Sequence, residues 1–179
     1  MSKVLFGMGP LAADLERLGL GDSAPTPATG RPTAYLQPGQ MLVAAEPLAV
    51  STLLGSCISV CLWDDKAGVG GINHYLLPSP VGAAEATPRF GTIAIPRLID
   101  RLLELGSRKA DLRAKLFGGA SMITELGRDE RRLGDENATL ADDILVAEGI
   151  PVVARDVGGH HGRKVVFQTD DGTAWVRRI

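Results

Sequence analysis

The chain has 179 residues, 22% of them charged, and a formal net charge of -2. That length suits one ordinary domain, which buries about 70% of its extended surface without a disulfide or metal staple. The near-neutral balance gives no electrostatic footprint for nucleic acid, and aromatics at 4% cannot build base-stacking platforms.

Residues 1–34 read as an N-terminal extension, partly flexible. Residues 11–20 carry leucines at helical spacing, limited by Gly19 and Gly21, and residues 22–30 are a Pro/Thr/Gly joint. Pro38-Gly39-Gln40 marks a turn that opens the compact region 35–179. Extended runs follow at 41–45, 48–53 and 58–63. Asp64-Asp65-Lys66-Ala67-Gly68 is a turn, so 58–63 is expected to pair with 69–76 as a hairpin. Residues 79–90 form a surface loop. Leucines at 98, 102, 103 and 105 predict a helix, with Pro96 tolerated in its first turn. A strand is expected at 112–117, an exposed polar stretch at 129–137, and a second helix at 138–148 with one apolar face. Strands at 151–156, 164–169 and 174–177 close the chain. Strands at both ends with two or three helices between them argue for an α+β fold, a single compact layered domain with mixed β-sheets.

The chemistry-bearing residues are few: two cysteines and three histidines. Cys57 lies in Gly55-Ser56-Cys57, beside small residues, and the hairpin folds His74 back towards it across 17 positions. A thiol met by an imidazole from another element suits acyl transfer. The competing reading is core packing, since Cys57 opens the apolar run Cys57-Ile58-Ser59-Val60-Cys61-Leu62. A free thiol is only about 3% ionised at pH 7, and lowering its pKa to about 6 needs roughly 3.4 kcal/mol of differential stabilisation, within reach of an imidazolium with backbone donors. A third group should orient His74. Ser51 and Thr52 are the nearby hydroxyls, and on a strand they point to opposite faces. Cys61 reads as core filling, and His160-His161 as an exposed turn with a lesser claim to substrate contact.

No cofactor or metal is implied: there is no CxxC, HExxH or phosphate-loop pattern. No stretch reads as a signal peptide and none is a run of about 20 apolar residues, so a cytoplasmic place without direct membrane insertion is expected.

The ordered motifs then carry a family resemblance. Thr52-Leu53-Leu54-Gly55-Ser56-Cys57, Gly70-Gly71-Ile72-Asn73-His74-Tyr75-Leu76-Leu77-Pro78, Lys115-Leu116-Phe117-Gly118-Gly119-Ala120-Ser121-Met122 and Asp156-Val157-Gly158-Gly159 followed by Gly162-Arg163-Lys164 together resemble the chemoreceptor glutamine deamidase family, CheD. The similar stretch runs from near Tyr35 almost to Ile179. The resemblance implies a compact layered fold and hydrolysis of receptor glutamines to glutamate with release of ammonia. It places the nucleophile on Cys57 and the catalytic histidine on His74. The family's third position, a threonine, falls on Ser51 in this register, with adjacent Thr52 as the alternative. It further implies methyl-accepting chemoreceptor cytoplasmic domains as partners and a CheC-like phosphatase as a second one. A non-catalytic signalling module that binds either partner is the alternative function.

Overall fold

A computed structural model describes residues 4–6, 30–82, 85–121 and 128–179, with residues 4–6 and 128–131 described by their backbone only. The helix expected at 11–20 and most of the joint at 22–30 lie outside the described residues.

Among the described residues, ten strands and two α-helices follow in chain order: β1 Val4–Phe6, β2 Thr33–Tyr35, β3 Met41–Ala44, β4 Ala49–Leu54, β5 Ile58–Asp64, β6 Val69–Asn73, α1 Gly91–Glu104, β7 Arg113–Gly118, α2 Arg128–Ala147, β8 Val152–Val157, β9 Arg163–Gln168 and β10 Ala174–Arg178. Six strands form one sheet in the order β1-β3-β6-β5-β7-β8, and four form a second in the order β10-β9-β4-β2. Neighbours are antiparallel except β7–β8 and β2–β4, which are parallel. Mixed sheets with two helices make this the α+β fold that the order of elements predicts.

The pattern of burial explains the layering. Every residue of β5 is buried, so both faces of the central strand are covered. Ile58, Val60 and Leu62 meet the helices through Ile95, Leu98, Leu102 and Leu145. The alternate residues Cys61 and Trp63 meet Val50, Leu54, Val165 and Phe167 of the second sheet. The period of two along a strand therefore sorts one sequence into two cores. Each fully buried Leu or Ile contributes about 1.5–3 kcal/mol on this basis. The layers run helices, six-stranded sheet, four-stranded sheet.

Two expectations differ from the structure. Helix α1 begins at Gly91, which puts Pro96 in its second turn rather than its first. The apolar repeat Ala94, Ile95, Leu98, Ile99 and Leu102 is buried against the sheet, and that packing outweighs one missing hydrogen bond. Helix α2 starts ten residues before the expected 138, so the whole polar stretch 129–137 falls in its first half, and Asn137 is buried. Strand pairing also reaches ahead of position 35. β1 adds to β3 at one sheet edge, and β2 pairs with β4 from Thr33 onward.

Candidate active site

The chain leaves the second sheet at Leu54 and enters the first at Ile58. Gly55-Ser56-Cys57 is the whole crossing. Its carbonyls are held from the protein side: Ala120 N–H donates to Gly55 O at 2.8 Å, Asn137 Nδ2 to Ser56 O at 3.3 Å, and Gly119 N–H to Cys57 O at 2.8 Å. Gly118 has φ 114°, a left-handed value, and a Cβ there would lie 2.1 Å from Cys57 O. Only glycine permits this approach.

The hairpin forms as expected. β5 and β6 pair with Cys61 opposite Ile72, and the register continues to a bridge between Ile58 and Tyr75, whose N–H and C=O groups exchange bonds of 3.2 and 3.0 Å. Extrapolated by one residue, that register sets Cys57 opposite Leu76 and makes His74 its diagonal neighbour on the same face. Such pairs sit about 7–8 Å apart at Cα, within reach of an imidazole and a thiol. Between the bridge and the regular ladder, Asn73 Oδ1 accepts from Val60 N–H at 2.9 Å, and Ser59 Oγ donates to Asn73 O. On the other side, His74 N–H donates to Gln40 O at 2.9 Å and His74 O accepts from Gly39 N–H at 2.7 Å. The histidine backbone is fixed from both flanks.

Thr52 completes the arrangement from the opposite sheet. On β4 the residues Val50, Thr52 and Leu54 are buried, while Ser51 and Leu53 are partly exposed. Thr52 Oγ1 lies 2.8 Å from His74 Nδ1 and donates to Leu36 O at 2.9 Å. Ser51 Oγ instead reaches Ala34 O at 3.4 Å. The structure thus puts the hydroxyl of Thr52, not that of Ser51, on the imidazole. The reason is the strand's alternation: a one-residue change of register turns the side chain to the other face. The hydroxyl at the histidine is a threonine's, one position later than the family register implied.

This contact also selects a tautomer. A hydroxyl has one proton, and Leu36 O can only accept, so the Thr52 proton belongs to that bond. The His74 contact then requires Nδ1–H as donor, which leaves Nε2 as the basic nitrogen. Burial pushes the His74 pKa down to about 4. It also pushes the Cys57 thiol up, offset in part by the residue's own backbone N–H. Both groups are held neutral near pH 7, contrary to the thiolate–imidazolium pair that sequence considerations favour. Cys57 remains partly accessible while His74 is 2% exposed, so a substrate meets the sulfur first.

The other candidates fall elsewhere. Cys61 is fully buried between the sheets, and burial raises its pKa strongly. His160 and His161 are exposed at the β8–β9 turn, beside Asp156, Arg163 and Arg178 in a cleft of about 140 Å³. That turn is tied to the crossing through Gly158 N–H to Gly118 O at 2.9 Å. Among the described residues no group of three or more His, Cys, Asp or Glu is placed to hold a metal. Sequence reasoning missed Ser59 and Asn137, which read as ordinary polar residues. The Asn73-His74 pairing was visible, but the role of Asn73 in bridging the ladder needs the strand register.

A family model described as CheD chemotactic sensory transduction matches residues 76–178. A probable chemoreceptor glutamine deamidase from Anaeromyxobacter dehalogenans is 53% identical over 150 residues, 84% of this chain and 86% of that protein. The chain belongs to the CheD family. Further CheD relatives are similar at comparable length. Probable chemoreceptor glutamine deamidases from Trichlorobacter lovleyi and Sulfurimonas denitrificans are 42% and 38% identical over 144 and 145 residues. These cover 80% and 81% of this chain, and 89% and 93% of theirs. The CheD family model begins two residues after His74, whereas a match of 150 residues in a chain of 179 necessarily spans Thr52, Cys57 and His74.

Proposed function

We propose that this chain is a cysteine amidohydrolase that converts glutamine side chains of chemoreceptor cytoplasmic domains to glutamate. Family membership supplies the reaction class. The observation that carries the mechanism is the Leu36 O–Thr52–His74 relay, which presents Nε2 as a base on the face shared with Cys57. As the substrate carboxamide docks, Nε2 takes the thiol proton and Sγ attacks the side-chain carbonyl carbon. The tetrahedral oxyanion is stabilised by backbone N–H groups of the 55–57 crossing, with Cys57 N–H as the first candidate. The imidazolium returns its proton to the leaving nitrogen, the C–N bond breaks and ammonia departs, leaving a thioester. His74 Nε2 then removes a proton from water, hydroxide adds to the thioester, and glutamate leaves as the proton returns to sulfur.

Neutral resting groups suit this sequence. A thiol deprotonated only on substrate engagement is protected from stray electrophiles, and closure around the substrate strengthens every charge interaction inside. Among the described residues no helix is long and apolar enough to cross a membrane. A CheC-like phosphatase remains a proposed second partner, testable by whether Cys57→Ala protein captures it in saturable fashion.

The test is direct. A purified receptor cytoplasmic fragment incubated with the enzyme gains about one dalton per converted glutamine by mass spectrometry. Cys57→Ala and His74→Ala, checked for folding, abolish that gain. Undiminished deamidation by either folded variant removes that residue from the chemistry.

A further inference from the structure

We propose that Asn137 is a positioning residue for this site, its carboxamide clamping the nucleophile crossing to the histidine strand. The proposal rests on Cys57 as nucleophile. Asn137 lies midway along α2 and is 0% exposed. Its Nδ2 donates to Leu76 O at 2.9 Å and to Ser56 O at 3.3 Å. Ser56 precedes Cys57, and Leu76 stands opposite Cys57 in the strand register, so one amide spans the open end of the strand pair. The orientation of the amide is determined, because two carbonyls accept and only the NH2 end can face them. Its Oδ1 is buried without a hydrogen-bond partner. A buried unsatisfied oxygen is a stability cost that an apolar residue would avoid. The two donated bonds are what the amide provides in exchange.

The clamp fixes a direction as well as a distance. In a trans peptide the C=O and the following N–H point opposite ways. With Ser56 O drawn towards α2, Cys57 N–H is turned away from it, and this is the N–H that favours the Cys57 thiolate. The same donor is the one assigned to the oxyanion. Helix α2 holds the other side of Cys57 too. Gly134, one turn earlier on the same helix face, lies so close that a Cβ there would meet Gly119 O at 2.5 Å, and Gly119 N–H holds Cys57 O. Tyr75 Oη donates to Asn137 O at 2.5 Å, which fixes the helix against the histidine strand through the backbone. That bond survives any side-chain change at 137, so substitutions there isolate the carboxamide.

The full chain is tested as wild type, Asn137→Ala and Asn137→Asp, with deamidation kinetics, iodoacetamide labelling of Cys57 against pH, and thermal unfolding. Cys61 is fully buried, and Cys57→Ala serves as the labelling blank. Asn137→Ala is expected to lower kcat about tenfold with KM within about twofold, and to shift the labelling profile to higher pH. Asn137→Asp presents a carboxylate to two carbonyls. Protonation restores one donor, so its kcat relative to wild type rises as pH falls from 8 to 6, a signature that Asn137→Ala lacks. If the alanine variant does not fold, Asn137→Ser, which keeps a short donor, takes its place with the same expectation at smaller amplitude. Wild-type kcat and an unmoved labelling profile in a folded alanine or serine variant overturn the proposal, as does an aspartate variant without the acid-side recovery. Failure of the deamidase reading is separately visible as deamidation retained by Cys57→Ala, or none by wild type, while the labelling profile still reports on Asn137.

Discussion

Thr52→Val keeps the branched shape of the side chain and deletes its hydroxyl. Two partners lose their bond: Leu36 O, held at 2.9 Å, and the His74 ring, held at 2.8 Å. Each buried group left unsatisfied costs about 1–3 kcal/mol, so the variant unfolds at lower denaturant than wild type. The catalytic loss is set by the charged state. When His74 carries the thiol proton, the Thr52 bond is a hydrogen bond to a cation, worth about 1.5–3 kcal/mol. At about 1.4 kcal/mol per decade, kcat/KM should fall roughly 10- to 150-fold. Thr52→Ser retains the oxygen and stays within about threefold of wild type. Ser51→Ala does the same, because that hydroxyl lies on the other strand face and reaches only Ala34 O at 3.4 Å. Steady-state deamidation of a receptor fragment, at a temperature where all variants are folded, measures these ratios. Wild-type kcat/KM in folded Thr52→Val, or a larger loss in Ser51→Ala, would refute the relay through Thr52.

Two further predictions follow from burial and backbone geometry. The His74 pKa falls from about 6.5 unfolded to about 4 folded, so between those values the unfolded chain binds the extra proton and stability drops as pH falls, by about 2 kcal/mol between pH 7 and pH 5. Urea midpoints at the two pH values should converge in His74→Gln, and an unchanged gap would assign the acid sensitivity to other groups. Gly118→Ala places a Cβ 2.1 Å from Cys57 O at a left-handed φ, so we expect a loss of 2 kcal/mol or more, a fall in Tm of roughly 4–8 °C and a fall in kcat, whereas wild-type values for both would show that the crossing tolerates displacement.

Much of the fold was legible because strand alternation and turn chemistry are local signals. The hairpin between β5 and β6 follows from a polar turn between two apolar runs, and it alone brings His74 to the end of the ladder beside Cys57. What escaped was non-local. Thr52 and Ser51 are equal as sequence neighbours, and only the packing of β4 against the other sheet decides which faces the ring. Asn137 looked like part of an exposed polar stretch because its partners, Ser56 and Leu76, are 81 and 61 residues away. The helical start of α2 was hidden for a related reason: its charged first half has no apolar stripe to show the period.

The three groups of the proposed site come from different layers of the sandwich. Thr52 belongs to one sheet, His74 directly follows a strand of the other, and Cys57 lies in the three-residue span that joins them. Turnover therefore acts as a gauge of how the sheets are seated on each other. Trimming Phe167 or Val50, which lie in the seam, should let the layers slip by fractions of an ångström. Such a slip leaves the secondary structure intact to circular dichroism while pulling the ring from its hydroxyl. Loss of catalysis should then precede loss of fold on warming, and the separation between the two midpoints measures the rigidity of the seam.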